Sequence, residues 1–225
     1  MKILAYDTSS DVLTAAIFEG PKQIAELESR SFARHSSTLV PSLERLLNEH
    51  HISLSEIDVM AIGLGPGSFT GLRVGITAAK IFGYIRKIKI VGISSLEAIA
   101  REAADHEGDI AVILDAKKDK LYACVFRERK GALKAVNKPQ LTKIDALLKG
   151  VRTQRLFLGD GTKIYRDRIL NTKFCSIADN AEMVYPKASN IARQALTLIQ
   201  QKKFLDPFTL EPLYLHSRDC NVMKK

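Results

Sequence analysis

The chain has 225 residues, 46% of them hydrophobic, with no Trp and three cysteines: enough to bury a core as one domain or as two lobes of about 100 residues, and too apolar for a disordered protein. The net charge of +9 is uneven. Residues 1–108 carry 11 Lys/Arg against 13 Asp/Glu and residues 109–225 carry 23 against 12, so the halves stand at −2 and +11. No stretch offers the roughly 18 uncharged apolar residues of a membrane span, and Asp7 interrupts the N-terminus before a signal-peptide core can form. Cys124, Cys175 and Cys220 make no metal-binding spacing. A cytoplasmic, reducing location is expected, with no membrane contact.

In chain order, Ile3–Tyr6 reads as a short strand, Asp7-Thr8-Ser9-Ser10 as a turn, and Leu13–Phe18 as a returning strand. Gly20-Pro21 turns into a third strand, Gln23–Ser29. Leu39, Leu43, Leu46 and Leu47 then recur at helical spacing, with Ser36 or Ser37 as candidate caps and Pro41 in the first turn. Ser53-Leu54-Ser55-Glu56 has the form of a capping box. A buried strand over Val59–Gly63 leads through Gly65-Pro66-Gly67-Ser68-Phe69-Thr70-Gly71 into a helix over 72–85, and Ile88–Ile93 is the next strand. Ser94 and Ser95 open a helix with Leu96, Ile99, Ala100 and Ala103 on one face.

A second unit begins near Gly108, dividing the chain into lobes 1–108 and 109–225. Ile110–Leu114 is an apolar strand, Leu121–Phe126 alternates like one arm of a hairpin, and Thr142–Asp145 starts a short helix. Leu156–Leu158 is a strand, Ser189–Gln201 an amphipathic helix, and the segment after Pro207 an irregular tail that could return to the first lobe. A meander followed by α–β–α is attempted twice.

The glycine loop is the most informative motif. Gly65, Gly67 and Ser68 stand between a buried strand and a helix N-terminus, where free backbone N–H groups suit an anion. Tight helix–strand packing accounts for the same residues, and the Gly-Lys-Ser/Thr ending of a Walker loop is missing. Asp7-Thr8-Ser9 fits a phosphate-approaching turn or an ordinary one. Along the next helix Gly71, Gly75, Ala78, Ala79 and Gly83 make a small-residue stripe, for internal packing or for a partner helix. Lys117, Lys118, Lys120, Arg127, Arg129, Lys130, Lys134 and Lys138 make the second half basic, as a solvated face or as an attraction for a polyanion. His35, His50, His51, His106 and His216 never pair at metal-ligand spacing on one helix, so no metal is expected.

Four stretches together resemble the TsaB (YeaZ) family of bacterial tRNA threonylcarbamoyladenosine biosynthesis: Ile3–Ser10, His35–Pro41, Gly65–Gly75 with Ala79-Lys80, and Leu114–Lys118 with Leu121-Tyr122. Leu158–Gly161 and Pro212–Leu215 are weaker echoes. The resemblance implies an α/β protein of the actin-like (sugar kinase/Hsp70) fold, two lobes each with a mixed sheet and flanking helices. It further implies a scaffold rather than an enzyme, serving a TsaD-like catalytic subunit that transfers threonylcarbamoyl to an adenosine beside the tRNA anticodon. A TsaE-like ATPase would be a third component, tRNA would be met through the complex, and the chain alone would pair with a second copy. The catalytic relative's His-x-x-x-His metal pair corresponds here to Ser95 and Ile99, so no catalytic centre is expected. Any ATP or ADP would sit at the joint of the complex, with Asp7, Thr8, Ser9, Gly65, Gly67 and Ser68 as candidate anion contacts. Leu39, Leu43, Leu46, Leu72, Gly75, Ala79 and Gly83 are the expected partner interface. The competing readings are a small-molecule kinase or ATPase of the same fold and, more remotely, a metallopeptidase.

Overall fold

The structure is a computed structural model, and it describes residues 1–30, 35–129, 132–178 and 184–215. His216, Cys220, Lys130 and the side chains of His35 and Ser36 therefore lie outside the described residues. Strands β1 (Lys2–Asp7), β2 (Val12–Glu19) and β3 (Lys22–Arg30) form an antiparallel meander. Helix α1 (His35–Glu49) and a short 3-10 turn lead to β4 (Ile57–Gly63); α2 (Phe69–Arg86) leads to β5 (Lys89–Ile93). The sheet order is β3-β2-β1-β4-β5, with β4 parallel to both β1 and β5. The capping box holds: Glu56 accepts the Ser53 N–H at 2.8 Å.

Central position explains why β1 lacks the polar alternation of a half-exposed strand. Leu4 and Tyr6 face the layer made by α1 and α2, while Ile3 and Ala5 face α7 (Ala188–Gln200). Both faces are covered, so both sets are apolar. Helix α3 (Ser95–Ala100) then crosses to the second lobe: Ala98 packs in the first core, Leu96, Ile99 and Ala100 in the second.

The second lobe repeats the plan. Strands β6 (Asp109–Asp115) and β7 (Leu121–Arg129) form a hairpin, and the outer side of β7 pairs with β8 (Ala132–Ala135) and β9 (Gln140–Thr142). After α4 (Ile144–Leu148), β10 (Arg155–Leu158) joins β6 in parallel; α5 (Gly161–Ile164) and α6 (Arg166–Leu170) precede β11 (Cys175–Ile177) on the far edge. The order β11-β10-β6-β7-β8 mirrors the first sheet. Asp109 fixes one end of this sheet, accepting Arg127 at 2.7 Å and Arg155 at 2.9 Å.

Residues 188–215 form neither a second-lobe helix nor a loose tail. Ile191, Ala192 and Ala195 of α7 pack beneath Ile3, Ala16 and Val59, which puts α7 on the first sheet and corrects the division at 109–225. Beyond it a strap returns along the same lobe: the Leu205 N–H donates to the Ile90 carbonyl (2.8 Å), the Leu213 N–H to that of Leu64 (2.8 Å), and Leu210 is buried. The strap's apolar positions are too few and too irregular to reveal this docking in the sequence.

Candidate functional site

Asp7, Thr8 and Ser9 end β1 at the sheet's carboxyl edge, where open α/β sheets place ligands. All three are buried. One Asp7 oxygen accepts the Ser9 N–H at 2.6 Å; the other accepts the Ser95 hydroxyl, also at 2.6 Å. Ser95 Oγ in turn accepts the Gly65 N–H at 3.1 Å, and the Ser95 N–H donates to the Gly65 carbonyl at 3.0 Å. A single hydroxyl thus ties the first turn, the glycine loop and α3 together.

The glycine loop closes directly on this turn. The Ser68 N–H donates to the Ser9 carbonyl at 2.7 Å, and a Cβ on Gly67 would stand 2.2 Å from that same oxygen. Glycine is required here for close backbone approach. The Thr8 hydroxyl donates to the Gly71 carbonyl (2.7 Å) and the Tyr6 hydroxyl to the Gly75 carbonyl (2.8 Å), so α2 is hydrogen-bonded onto β1. Burial raises the Tyr6 phenol far above its ordinary value, keeping it a neutral donor.

Across from this turn, β6 ends in Asp115, whose carboxylate accepts the Lys117 N–H and ammonium at 2.8 and 2.6 Å. Burial pushes Asp115 upward, but the bonds and charge of Lys117 outweigh it and hold the carboxyl low. Lys117, Lys118 and Asp119 occupy the left-handed region consecutively, at φ of 62°, 52° and 56°. The Asp160 carboxylate accepts the Asp115 N–H at 2.9 Å, and burial raises its carboxyl above the ordinary range. Among the described residues no group of three or more His, Cys, Asp or Glu could hold a metal ion.

These groups do not fit a nucleotide triphosphate. Asp7 is buried, the Ser9 N–H and Thr8 hydroxyl are bonded to protein acceptors, and the second lobe's corresponding turn carries the carboxylates of Asp115 and Asp160. Asp7, Thr8, Ser9, Gly65, Gly67 and Ser68 do come together as expected, but as a packed joint.

The seven residues expected to meet a partner turn inward. Leu39, Leu43, Leu46, Leu72, Gly75, Ala79 and Gly83 are all buried within the chain. A Cβ on Gly75 would lie 2.4 Å from Thr8 Oγ1, and Gly83 lies against Ile90 and Pro207. The small-residue stripe lets α2 settle on its own sheet. The opposite side of α2 carries no regular spacing of its own in the sequence. It exposes Phe69, Ile81, Tyr84 and Ile85, the last at 66%. The strap widens this face: Phe208, 72% exposed, meets Tyr84 edge-on at 5.2 Å, and Tyr214 lies 5.6 Å from Phe69. The Arg73 guanidinium stacks 3.9 Å over Phe69 while its Nε donates to the Tyr214 hydroxyl at 3.3 Å. Between α1 and α2 a cavity of about 660 Å³ opens among Val40, Leu43, Leu47 and Phe82.

Two mirrored lobes with mixed sheets, joined through α3, define a protein of the actin-like fold. The fold's solved likenesses include YeaZ from Pseudomonas aeruginosa (TM-score 0.82, 21% identity, covering 95% of this chain and 99% of that one). The family described as "TsaD: tRNA N6-adenosine threonylcarbamoyltransferase" matches residues 29–219. The tRNA threonylcarbamoyladenosine biosynthesis protein TsaB of Bacillus subtilis is 30% identical over 99% of this chain and 97% of its own length. The Escherichia coli TsaB is 24% identical over 96% and 95%. The chain belongs to the TsaB (YeaZ) family, whose proteins take part in tRNA threonylcarbamoyladenosine biosynthesis. No helix among the described residues is long and apolar enough to cross a membrane.

Proposed function

We propose that this chain is a non-catalytic subunit that holds a TsaD-like catalytic partner in working geometry, docking through the outward face of α2 and the strap. A TsaE-like ATPase completes the assembly and tRNA is its substrate. The carrying observation is that face: Phe69, Ile81, Tyr84, Ile85, Phe208 and Tyr214 expose large apolar side chains on one helix and its neighbouring strap. Scattered exposed apolar residues are ordinary; here they gather in two clusters at the two ends of one helix face, each joined by an aromatic of the strap, which suits an interaction surface. A docked pair of roughly 1,600 Å² would be ordinary in size.

The joint around Ser95 supports the non-catalytic part. Where the resemblance puts the catalytic relative's metal-binding pair, Ser95 is bound to Asp7 and Ile99 is packed into the second core. Neither side chain can be released without opening the fold. The same closure speaks against a kinase or ATPase reading.

The test is docking itself. Ile81→Glu combined with Ile85→Glu should leave circular dichroism unchanged and lower the melting temperature only slightly, because the two residues are 50% and 66% exposed. It should weaken association with the catalytic subunit at least ~100-fold, as expected when interface anchors each worth roughly 2 kcal/mol are lost. Undiminished binding measured by titration calorimetry would place the interface elsewhere. Self-association of the chain alone, lost in the same variant, would mark the face as one that a second copy also uses.

A further inference from the structure

We propose that the outer edge of the second sheet is a ridge that binds RNA phosphates, so that this chain contributes contacts to tRNA itself. Strand β7 is lined on that side from end to end. Arg127 pairs with Lys134 in β8, and Leu121 pairs with Thr142 in β9. The link between them stays in place: the Val136 N–H donates to the Val125 carbonyl at 2.7 Å, and the Asn137 side chain accepts the Val125 N–H at 2.8 Å. Lys134, Lys138 and Lys143 therefore follow one another along the edge, and Lys120 and Lys118 continue the row at the β6–β7 turn beside Lys143. From residue 127 to residue 120 the row spans about 24 Å at ~3.4 Å per residue.

All five lysines are exposed, and none makes an ion pair among the described residues. Three of the nearby carboxylates are used elsewhere, while Asp119 and Glu128 stand exposed near the two ends of the row. Asp109 is held by Arg127 and Arg155, Asp115 by Lys117, and Asp145 by Arg168. Residues 132–143 contain no Asp or Glu. Of the excess of +11 in residues 109–225, five ammonium groups stand along this one edge. Their line is one strand wide, which matches a string of phosphates better than a plane of lipid headgroups. Ammonium groups without a planar aromatic platform contact backbone and carry no sequence information, the form of recognition suited to a stem. Identifying the polyanion as RNA rests on the function proposed above; the ridge does not.

Lysines at a sheet edge also discourage strand-to-strand association, and the experiment must separate the two roles. The full-length chain is titrated against fluorescently labelled bulk tRNA over a series of salt concentrations. Lys120→Gln, Lys138→Gln and Lys143→Gln together should lower the slope of log K against log salt by about 2 to 3, from 0.7–0.9 per phosphate contact. A control carrying Lys22→Gln, Lys89→Gln and Lys203→Gln, of equal charge on the first lobe, should change it by less than about 1. An unchanged slope in the edge variant, or an equal fall in the control, overturns the ridge. So does an edge variant that self-associates in gel filtration while binding tRNA normally, because the lysines would then only guard the edge. Vesicles rich in phosphatidylserine outcompeting tRNA would overturn the choice of RNA. Docking to the catalytic subunit without RNA is measured in parallel; it should be intact in the edge variant, and its absence in the unmodified chain would count against the docking function alone.

Discussion

The Ser95 hydroxyl ties the first turn and the glycine loop to α3, and Ser95→Ala tests how much stability that tie supplies. The hydroxyl donates to the buried Asp7 carboxyl at 2.6 Å and accepts the buried Gly65 N–H at 3.1 Å. Its removal forfeits a bond to a carboxyl group and leaves a backbone donor without its partner. Each loss is of order 1–3 kcal/mol, so about 3 kcal/mol in total is a conservative sum. With a urea m-value of about 2 kcal/mol/M, the unfolding midpoint should fall by ~1.5 M. The chain has no Trp, so the transition is best followed by far-UV circular dichroism. Ser94→Ala is the matched control, since the Ser94 hydroxyl is buried without a hydrogen-bond partner; its midpoint should be unchanged or slightly higher. A fall of less than about 0.3 M for Ser95→Ala would refute the claim that this hydroxyl fastens the joint.

Gly75→Leu should lower stability by several kcal/mol and reduce soluble yield, because its side chain would enter the space of Thr8 and Tyr6; normal stability with lost pairing would show instead that the stripe faces a partner. Burial raises the Glu97 carboxyl above its ordinary range, against the weaker pull of Arg101. Its contribution to stability is therefore full below the unfolded-state value and is lost as pH rises through the folded one. Glu97→Gln should gain on the unmodified chain in urea melts as pH is raised from acid to neutral, and a constant difference across that range would contradict the assignment.

Much of this protein was legible in its residues. Local patterns placed β1 to β5, both long helices of the first lobe and α7 within a few positions, because each combines an apolar run or an apolar period with a turn or cap near its ends. The repeated meander was also visible and became two sheets of matching order. Strands β8, β9 and β11 were missed; at three or four residues, and half-exposed, they carry almost no period of their own and exist because β7 and β10 offer edges. The motif residues Asp7, Ser9, Gly65 and Gly67 were recognised, but their partners were not. Ser95 is 88 residues from Asp7 in the chain, and no spacing rule links them.

What the sequence determined by itself was composition and period: which segments bury apolar faces, which half carries the positive charge, and which backbone sites must be glycine. What only the tertiary structure decided was direction. A small-residue stripe reads the same whether it meets its own sheet or another protein, and here the first sheet took it, leaving the outward side of α2 exposed. A basic half likewise has no shape until strand pairing sets Lys120 beside Lys143 and Lys134 beside Arg127. Side-chain identity is local, whereas the surface a side chain faces depends on contacts between residues far apart in the chain.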